Sequence, residues 1–265
     1  MMKFKKNFKL IDKYVTFGLL IKIYILLKRW NYFFLYIKQF TFTKKFNNKN
    51  IVFYNYKYNY LSELSDKYSS DKGTLQKEFK KKSLWGWQQH SYTDYYSNLY
   101  DHCRDKINLI LEVGIGTTNE SIPMNMTENG KPGASLKMWR DYFVNAQIYG
   151  ADIDKNILFK EERIKTFYVD QLNEQKVKDM WTEIGVKDFD LIIDDGLHTS
   201  EANIKFFFNS FSYLKRNGVY IIEDVHNFEV EKTYSALKDF DPEVVVLRKK
   251  NIKYDNNNLI IIRKK

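Results

Sequence analysis

The chain has one cysteine, three prolines and eleven glycines among 265 residues. A lone thiol, Cys103, excludes an intrachain disulfide framework and a cysteine-built zinc cluster. It fits a reducing cytoplasm. The shortage of proline and glycine, with 44% hydrophobic and 29% charged residues, argues against long disorder. No apolar run reaches the ~20 residues that a membrane-spanning helix needs. The stretch from Tyr14 to Leu27 is interrupted by Lys22, and that from Trp30 to Phe40 follows Lys28 and Arg29. Neither is followed by the small-residue cleavage site of a signal peptide. There is no internal repeat and no recognisable RNA-binding module.

What is present is enough apolar sequence for one full-sized core. Aromatics are abundant, with 20 Tyr and 20 Phe, and the formal charge is +10. Such a charge suits nucleic acid, anionic lipid or an anionic substrate. It is equally what a coding bias toward Lys, Asn, Ile, Phe and Tyr produces, so individual lysines and tyrosines carry little functional weight. Residues 1–60 read as a basic, aromatic helical arm and 61–265 as the main domain. The arm has two readings. Residues 14–40 form a basic amphipathic helix on the inner face of a membrane, or they pack on the main domain or a sister subunit. The chain is expected in the cytoplasm, with peripheral membrane contact under the first reading.

The segment from Ser62 to Gly73 reads as a loop or helix entry. From Ile107 onward, short apolar runs alternate with helical-period segments. Strands are expected at Asn108–Val113, Gln147–Ile153, Lys165–Val169, Phe189–Ile193 and Gly218–Ile222, with an antiparallel pair at Val244–Arg248 and Leu259–Arg263. Helices are expected at Ser135–Phe143, Glu174–Ile184, Ser200–Leu214 and Val230–Lys238. This alternation implies an α/β fold: a mostly parallel, Rossmann-like sheet of seven strands with helices on both faces. Such sheets bind ligands beyond the carboxyl ends of their strands, where the strand order reverses. His102 and Cys103 fall on a further expected helix and read as structural.

Three motifs sit at those strand ends. The first is Glu112-Val-Gly-Ile-Gly116, in which Gly114 and Gly116 permit a sharp turn and close ligand approach. Asp152 ends the next strand, about forty residues on, where a carboxylate can bind ribose hydroxyls; dinucleotide folds place it ~20 residues on. The third phosphate-loop glycine is missing, so a nucleoside without a pyrophosphate is the better ligand. Asp170 and Gln171, at the following strand end, can reach an adenine ring. The second motif is Asp194-Asp-Gly-Leu-His198 and the third is Glu223-Asp224. Carboxylates from adjacent strands converging on one edge repel each other, and a hard divalent cation such as Mg2+ relieves that repulsion. A sugar diol could share the ion, which would lower a hydroxyl pKa. His198, three residues past Asp195, suits a general base near neutrality. His226 is the alternative base or ligand. His90 and Tyr92 either fold over the cofactor or pack in an aromatic cluster.

With these residues in view, the chain resembles the metal-dependent sugar O-methyltransferases of macrolide biosynthesis, the demethylmacrocin and mycinamicin type. It also resembles methyltransferases encoded with bacterial surface-polysaccharide genes. The resemblance rests on SDKG (Ser70–Gly73), LILEVGIGT (Leu109–Thr117), PGASLKMWRDYF (Pro132–Phe143), IYGADID (Ile148–Asp154), VDQ (Val169–Gln171), IIDDGLH (Ile192–His198) and YIIEDV (Tyr220–Val225). It covers residues 60–230 and extends to the last two strands. DDGxH followed by IED at this separation is its specific part.

The resemblance implies an S-adenosyl-L-methionine-dependent methyltransferase sheet. Glu112, Gly114, Gly116, Asp152, Asp170, Gln171 and Asp194 would line the cofactor site, with Ser135 nearby. Asp195, Glu223 and Asp224 would hold Mg2+, and His198 would take the proton of the attacking hydroxyl. Residues 119–133 would form a loop over the site, and a homo-oligomer is the usual assembly. Two departures stand out. Leu197 replaces the Ser of DDGSH, and the first sixty residues do not match the macrolide enzymes' N-terminal domain.

The expected activity is transfer of a methyl group to a sugar hydroxyl of a glycan, nucleotide sugar or glycosylated natural product. Two alternatives differ in class. One is an N-methyltransferase for an amino sugar or RNA, against which the Asn/Asp-Pro-Pro-aromatic motif is missing. The other is a non-catalytic, membrane-associated scaffold, which has no need of concentrated carboxylates.

Overall fold

The structure, a computed structural model, describes residues 51–52 (backbone only), 58–73, 90–128, 130–247 and 256–265. These belong to the compact unit Lys49–Lys265. The expected helical arm lies outside the described residues, apart from its last few positions.

Nine strands among the described residues form one sheet. They are β1 (Ile51–Val52), β2 (Leu109–Val113), β3 (Gln147–Asp152), β4 (Lys160–Glu161), β5 (Ile164–Tyr168), β6 (Phe189–Asp194), β7 (Leu214–Ile222), β8 (Glu243–Val246) and β9 (Asn258–Arg263). Their order is β1-β8-β9-β7-β6-β2-β3-β5-β4. The seven expected strands are all present. Two short edge strands, β1 and β4, bring the count from seven to nine. Two-residue strands carry too little periodicity to be read from sequence. The pairs β2–β3, β2–β6, β3–β5 and β6–β7 are parallel. β9 runs antiparallel to β7 and β8, as expected of the closing pair. Strand order reverses between β2 and β6, which makes their carboxyl ends the natural ligand crevice.

Among the described residues, six α-helices accompany the sheet: α1 (Tyr60–Tyr68), α2 (Tyr92–Tyr100), α3 (Ala134–Tyr142), α4 (Glu174–Ile184), α5 (Ser200–Ser210) and α6 (Asn227–Leu237). Their ends follow from local chemistry. Asn173 accepts the Lys176 amide at the start of α4, and left-handed Gly185 ends it. Thr199 caps α5 through the Ala202 amide. The expected helix beyond Ser200 stops at Ser210, because Phe211–Tyr213 tighten into a 3-10 turn before β7. Much of the polar segment from Ser62 is helical: Asn59 caps α1, whose Leu61 and Leu64 reach the core. His102 and Cys103 lie in a turn after α2, not on a helix.

Alternation along the strands builds two cores. Ile110, Ile148, Leu191, Ile193, Ile221 and Ile261 share a cluster with Tyr96, Trp139, Tyr142 and Phe143 from α2, α3 and its end. On the other face, Tyr220 meets Phe207 of α5 edge-on at 5.0 Å. Trp181 of α4 stacks on Tyr213 at 4.0 Å. The fully buried aromatics on both faces make the sheet a rigid platform for its polar edge.

Candidate active site

The ladder continues beyond the strand ends and holds the polar loops in register. The Asp195 amide donates to Val113 O at 2.9 Å, Glu223 N to Asp194 O at 2.9 Å, and Gly114 N to Ala151 O at 2.8 Å. Gly114 has φ 84°, and a Cβ there would lie 1.9 Å from Asp195 O. Only glycine lets the first loop pass so close to the aspartate loop.

A cavity of about 630 Å³ opens at this edge. Gly114, Gly116, Ser135, Asp152, Asp170 and Gln171 line one part of it. Loop residues 119–133 contribute Ile122, Pro123, Met124, Asn125, Met126 and Lys131, in the expected covering position. Asp152 accepts the Ile115 and Asp154 amides at 2.8 and 2.9 Å, so it shapes the glycine loop while facing the cavity. Gln171 lines the wall, but its amide group is engaged at both ends. It donates to Asp194 Oδ1 at 2.6 Å and accepts from Leu197 N at 2.8 Å. Asp194 itself is buried behind the wall. Burial raises its pKa to about 7, against the opposing hydrogen bonds from Gln171 and Gly196. Glu112 is likewise fully buried and accepts from Trp139 Nε1 at 2.5 Å. Both residues support the pocket from beneath.

The other part of the cavity contains Asp195, His198 and Asp224. One ligand atom from each lies within 4.8 Å of the others. Asp224 Oδ1 pairs with His90 Nε2 at 3.2 Å and accepts the Tyr92 hydroxyl. His90 and Tyr92 stack with ring centres 4.7 Å apart. The two alternatives for this pair therefore merge: they pack together and also hold a site carboxylate. Burial pushes His90 down, but Asp224 more than offsets it and raises its pKa to about 9. Burial pushes Asp224 up, yet charged His90 and the hydrogen bonds bring it below the ordinary carboxylate range. His198 Nε2 is 3.9 Å from Asp224 Oδ2. Burial lowers the His198 pKa, Asp224 opposes it, and the imidazole is neutral near pH 7. Its Nδ1 is buried with no hydrogen-bond partner among the described residues. His226 lines the cavity and stacks on Phe228 at 5.2 Å, but is not one of the three clustered residues.

Glu223, the third expected metal residue, is fully buried and turned inward. It accepts the Tyr96 hydroxyl at 2.5 Å and pairs with Lys72 Nζ at 2.5 Å. Lys72 also meets Asp195 Oδ2 at 2.7 Å and Glu112 Oε1 at 3.2 Å, with its side chain 1% exposed. Burial alone would lower its pKa, but three carboxylates raise it well above normal. Lys72 lies within the SDKG segment, whose sequence assigns it no role. One lysine among 43 basic residues shows no sign of burial, and its three partners lie far along the chain. Tyr96 and Trp139 were missed for the same reason.

The cluster suits a divalent cation. Two carboxylates, Asp195 and Asp224, converge on one accessible point beside the neutral imidazole of His198. Burial raises Asp195, and neighbouring Glu223 and Asp224 add to this despite Lys72. The carboxylates therefore resist sharing negative charge, and a bound cation relieves that resistance. The adjoining cavity suits a nucleoside: two positive-φ glycines, a strand-end aspartate and apolar Ile153 and Leu172 surround it.

No protein-family profile matches the chain. Curated proteins do resemble it. It is 31% identical over 139 residues to 8-demethyl-8-alpha-L-rhamnosyl tetracenomycin-C 2'-O-methyltransferase of Streptomyces olivaceus, covering 52% of this chain and 34% of that protein. It is 31% identical over 165 residues to demethylmacrocin O-methyltransferase of Streptomyces fradiae, covering 62% and 36%. It is 31% identical over 166 residues to mycinamicin VI 2''-O-methyltransferase of Micromonospora griseorubida, again covering 62% and 36%. The matched part of this chain spans about a third of the length of these relatives. Among solved structures, MycE methyltransferase in complex with Mg and SAH superposes with TM-score 0.54 and 24% identity, over 79% of this chain and 56% of that one. A second MycE complex, with Mg, SAH and mycinamycin VI, gives 0.52 and 23%, over 77% and 54%. The fold is that of these methyltransferases.

Proposed function

We propose that this chain is an S-adenosyl-L-methionine-dependent O-methyltransferase that acts on a sugar hydroxyl with a divalent ion, Mg2+ or a similar cation. One observation supports this best: Asp195, His198 and Asp224 converge in the same cavity that the glycine loop lines. The relatives add to it, since each is named for methylation of an oxygen. When bound, the cofactor supplies the electrophilic methyl group and the ion polarises the acceptor hydroxyl.

The chain's residues supply position and proton transfer. Asp195 and Asp224 would ligate the ion, with Glu223 behind them. Neutral His198 accepts the hydroxyl proton, and Asp224 stabilises the resulting imidazolium from 3.9 Å. Gly114, Gly116, Ser135, Asp152, Asp170 and Gln171 present the cofactor, and Glu112 and Asp194 brace them. The loop from 119 to 133 would exclude water. The acceptor we propose is a glycan precursor, nucleotide sugar or glycosylated natural product rather than nucleic acid. Among the described residues, no helix is long and apolar enough to cross a membrane. Membrane contact through residues 14–40 and homo-oligomer assembly rest on sequence pattern and resemblance alone.

Calorimetric titration with S-adenosyl-L-methionine, with Mg2+ and after chelation, tests the reading. Micromolar binding followed by methyl transfer in a screen of sugar acceptors is expected. Failure of the folded protein to bind in either condition would overturn it.

A further inference from the structure

We infer that Lys72 is a built-in cation that neutralises the inner half of the acidic cluster, leaving Asp195 and Asp224 for the divalent ion; this rests on the metal site proposed above. The ammonium lies within 3.2 Å of Glu112, 2.7 Å of Asp195 and 2.5 Å of Glu223. Glu112 belongs to the glycine-loop strand, Asp195 to the loop after β6 and Glu223 to the end of β7. A single side chain thus serves three neighbouring strand ends. All three carboxylates lie where solvent screening is weak, so the charge of Lys72 acts on them strongly.

The segment that delivers Lys72 is pinned. Ser65 Oγ lies 3.0 Å from Ser70 O and 2.9 Å from Gly73 O. The His90 amide donates to Asp71 O at 2.8 Å, and Thr93 N to Lys72 O at 3.2 Å. Gly73 admits α2 alongside: a Cβ there would lie 2.1 Å from Thr93 Oγ1. The carbonyls of Asp71 and Lys72 are held by backbone amides, and those of Ser70 and Gly73 share the single hydroxyl hydrogen of Ser65. Such fixing is what a buried ammonium requires if it is to face carboxylates rather than solvent.

The geometry divides the carboxylates by partner. Glu223 is held by Lys72 and Tyr96, and Glu112 accepts from Trp139 through Oε2 while, among the described residues, its Oε1 has only the ion pair with Lys72. Asp224 makes no contact with Lys72 and faces the cavity. Asp195 belongs to both groups, offering Oδ2 to Lys72 while its side chain is 20% exposed. Lys72 is therefore a positioning residue: it holds Asp195 in place and lets the site fold before any ion arrives. Without it, the inner carboxylates would depend on the ion itself.

The test is thermal melting of the full chain, wild type and Lys72→Met, in chelator and in excess Mg2+, with calorimetric Mg2+ titration of both. Wild type should melt within a few degrees in the two conditions. Lys72→Met in chelator should melt about 10 °C lower, and Mg2+ should restore most of that loss. Equal melting of wild type and Lys72→Met in chelator would overturn the inference. If Lys72→Met does not fold, Lys72→Met combined with Glu223→Gln provides the check, because it removes one charge of each sign from the pair. Recovery of folding in the double variant supports the counter-ion role, and failure to recover overturns it. Wild type that binds no Mg2+, with charge compensation intact in the double variant, would instead remove the metal reading and leave the counter-ion role of Lys72 standing.

Discussion

His198 Nε2 stands 3.9 Å from Asp224 Oδ2, and both residues hold left-handed backbone, at φ 55° and 53°. Left-handed residues other than glycine are uncommon, and strain of this kind gathers at functional sites. The two turns aim a neutral imidazole and a charged carboxylate at the same point from neighbouring strand ends.

Replacing His198 by Gly separates stability from chemistry. Glycine adopts φ 55° freely, so folding should gain about 1 kcal/mol in a denaturant melt. Methyl transfer should fall ~10²–10⁴-fold with cofactor affinity unchanged. Retained turnover would remove His198 from the base role.

Gly114→Ala should damage fold and site together. Its Cβ would strike the Asp195 carbonyl, and φ 84° is unsuited to alanine. A loss of ~2–4 kcal/mol is expected, measured as a lowered denaturation midpoint. A normal midpoint would show that the two loops move apart easily.

Ile153 and Leu172 follow cavity-facing Asp152 and near Gln171, and they are 46% and 40% exposed. Apolar side chains left open inside a cavity suit a planar base. Ile153→Ala should weaken S-adenosylhomocysteine binding about 5–10-fold by calorimetry. Unchanged affinity would place the base elsewhere.

Asp141 joins α3 to α1. It accepts from Lys67 at 2.8 Å, from the Tyr68 hydroxyl, and from Arg140 at 3.0 Å. Burial pushes its pKa up, but these partners outweigh it and hold it at about 2. A depressed carboxylate pKa stabilises the fold above the unfolded value and loses that contribution as pH falls toward the folded one. Asp141→Asn should therefore melt lower than wild type at pH 5–7, with the gap closing between about pH 4 and 2. A gap independent of pH would point to packing instead.

Much of this architecture was legible in the sequence. Apolar runs bounded by polar residues marked the seven main strands, because a strand buried on both faces must be apolar throughout. The polar residues just past those runs had to lie on one edge, which brought Gly114, Asp152, Asp170, Asp195, His198 and Asp224 together. The edge strands β1 and β4 were too short to read. Tyr96, Trp139 and Lys72 looked like ordinary members of a chain rich in aromatics and lysine.

The sequence by itself determined which residues reach the carboxyl edge, since the order of strands and their apolar pattern leave little choice. Only the tertiary structure decided which way each one faces. Consecutive residues of an extended chain point to opposite sides. Asp194 at the end of β6 accordingly turns into the protein and Asp195 to the cavity, whereas after β7 the left-handed turn at Asp224 sets the carboxylate toward the cavity while Glu223 stays buried. The partner of the inward carboxylates, Lys72, lies 123 residues before Asp195 and 151 before Glu223. Packing of α1 and α2 on the sheet places it there, and no local pattern encodes that contact.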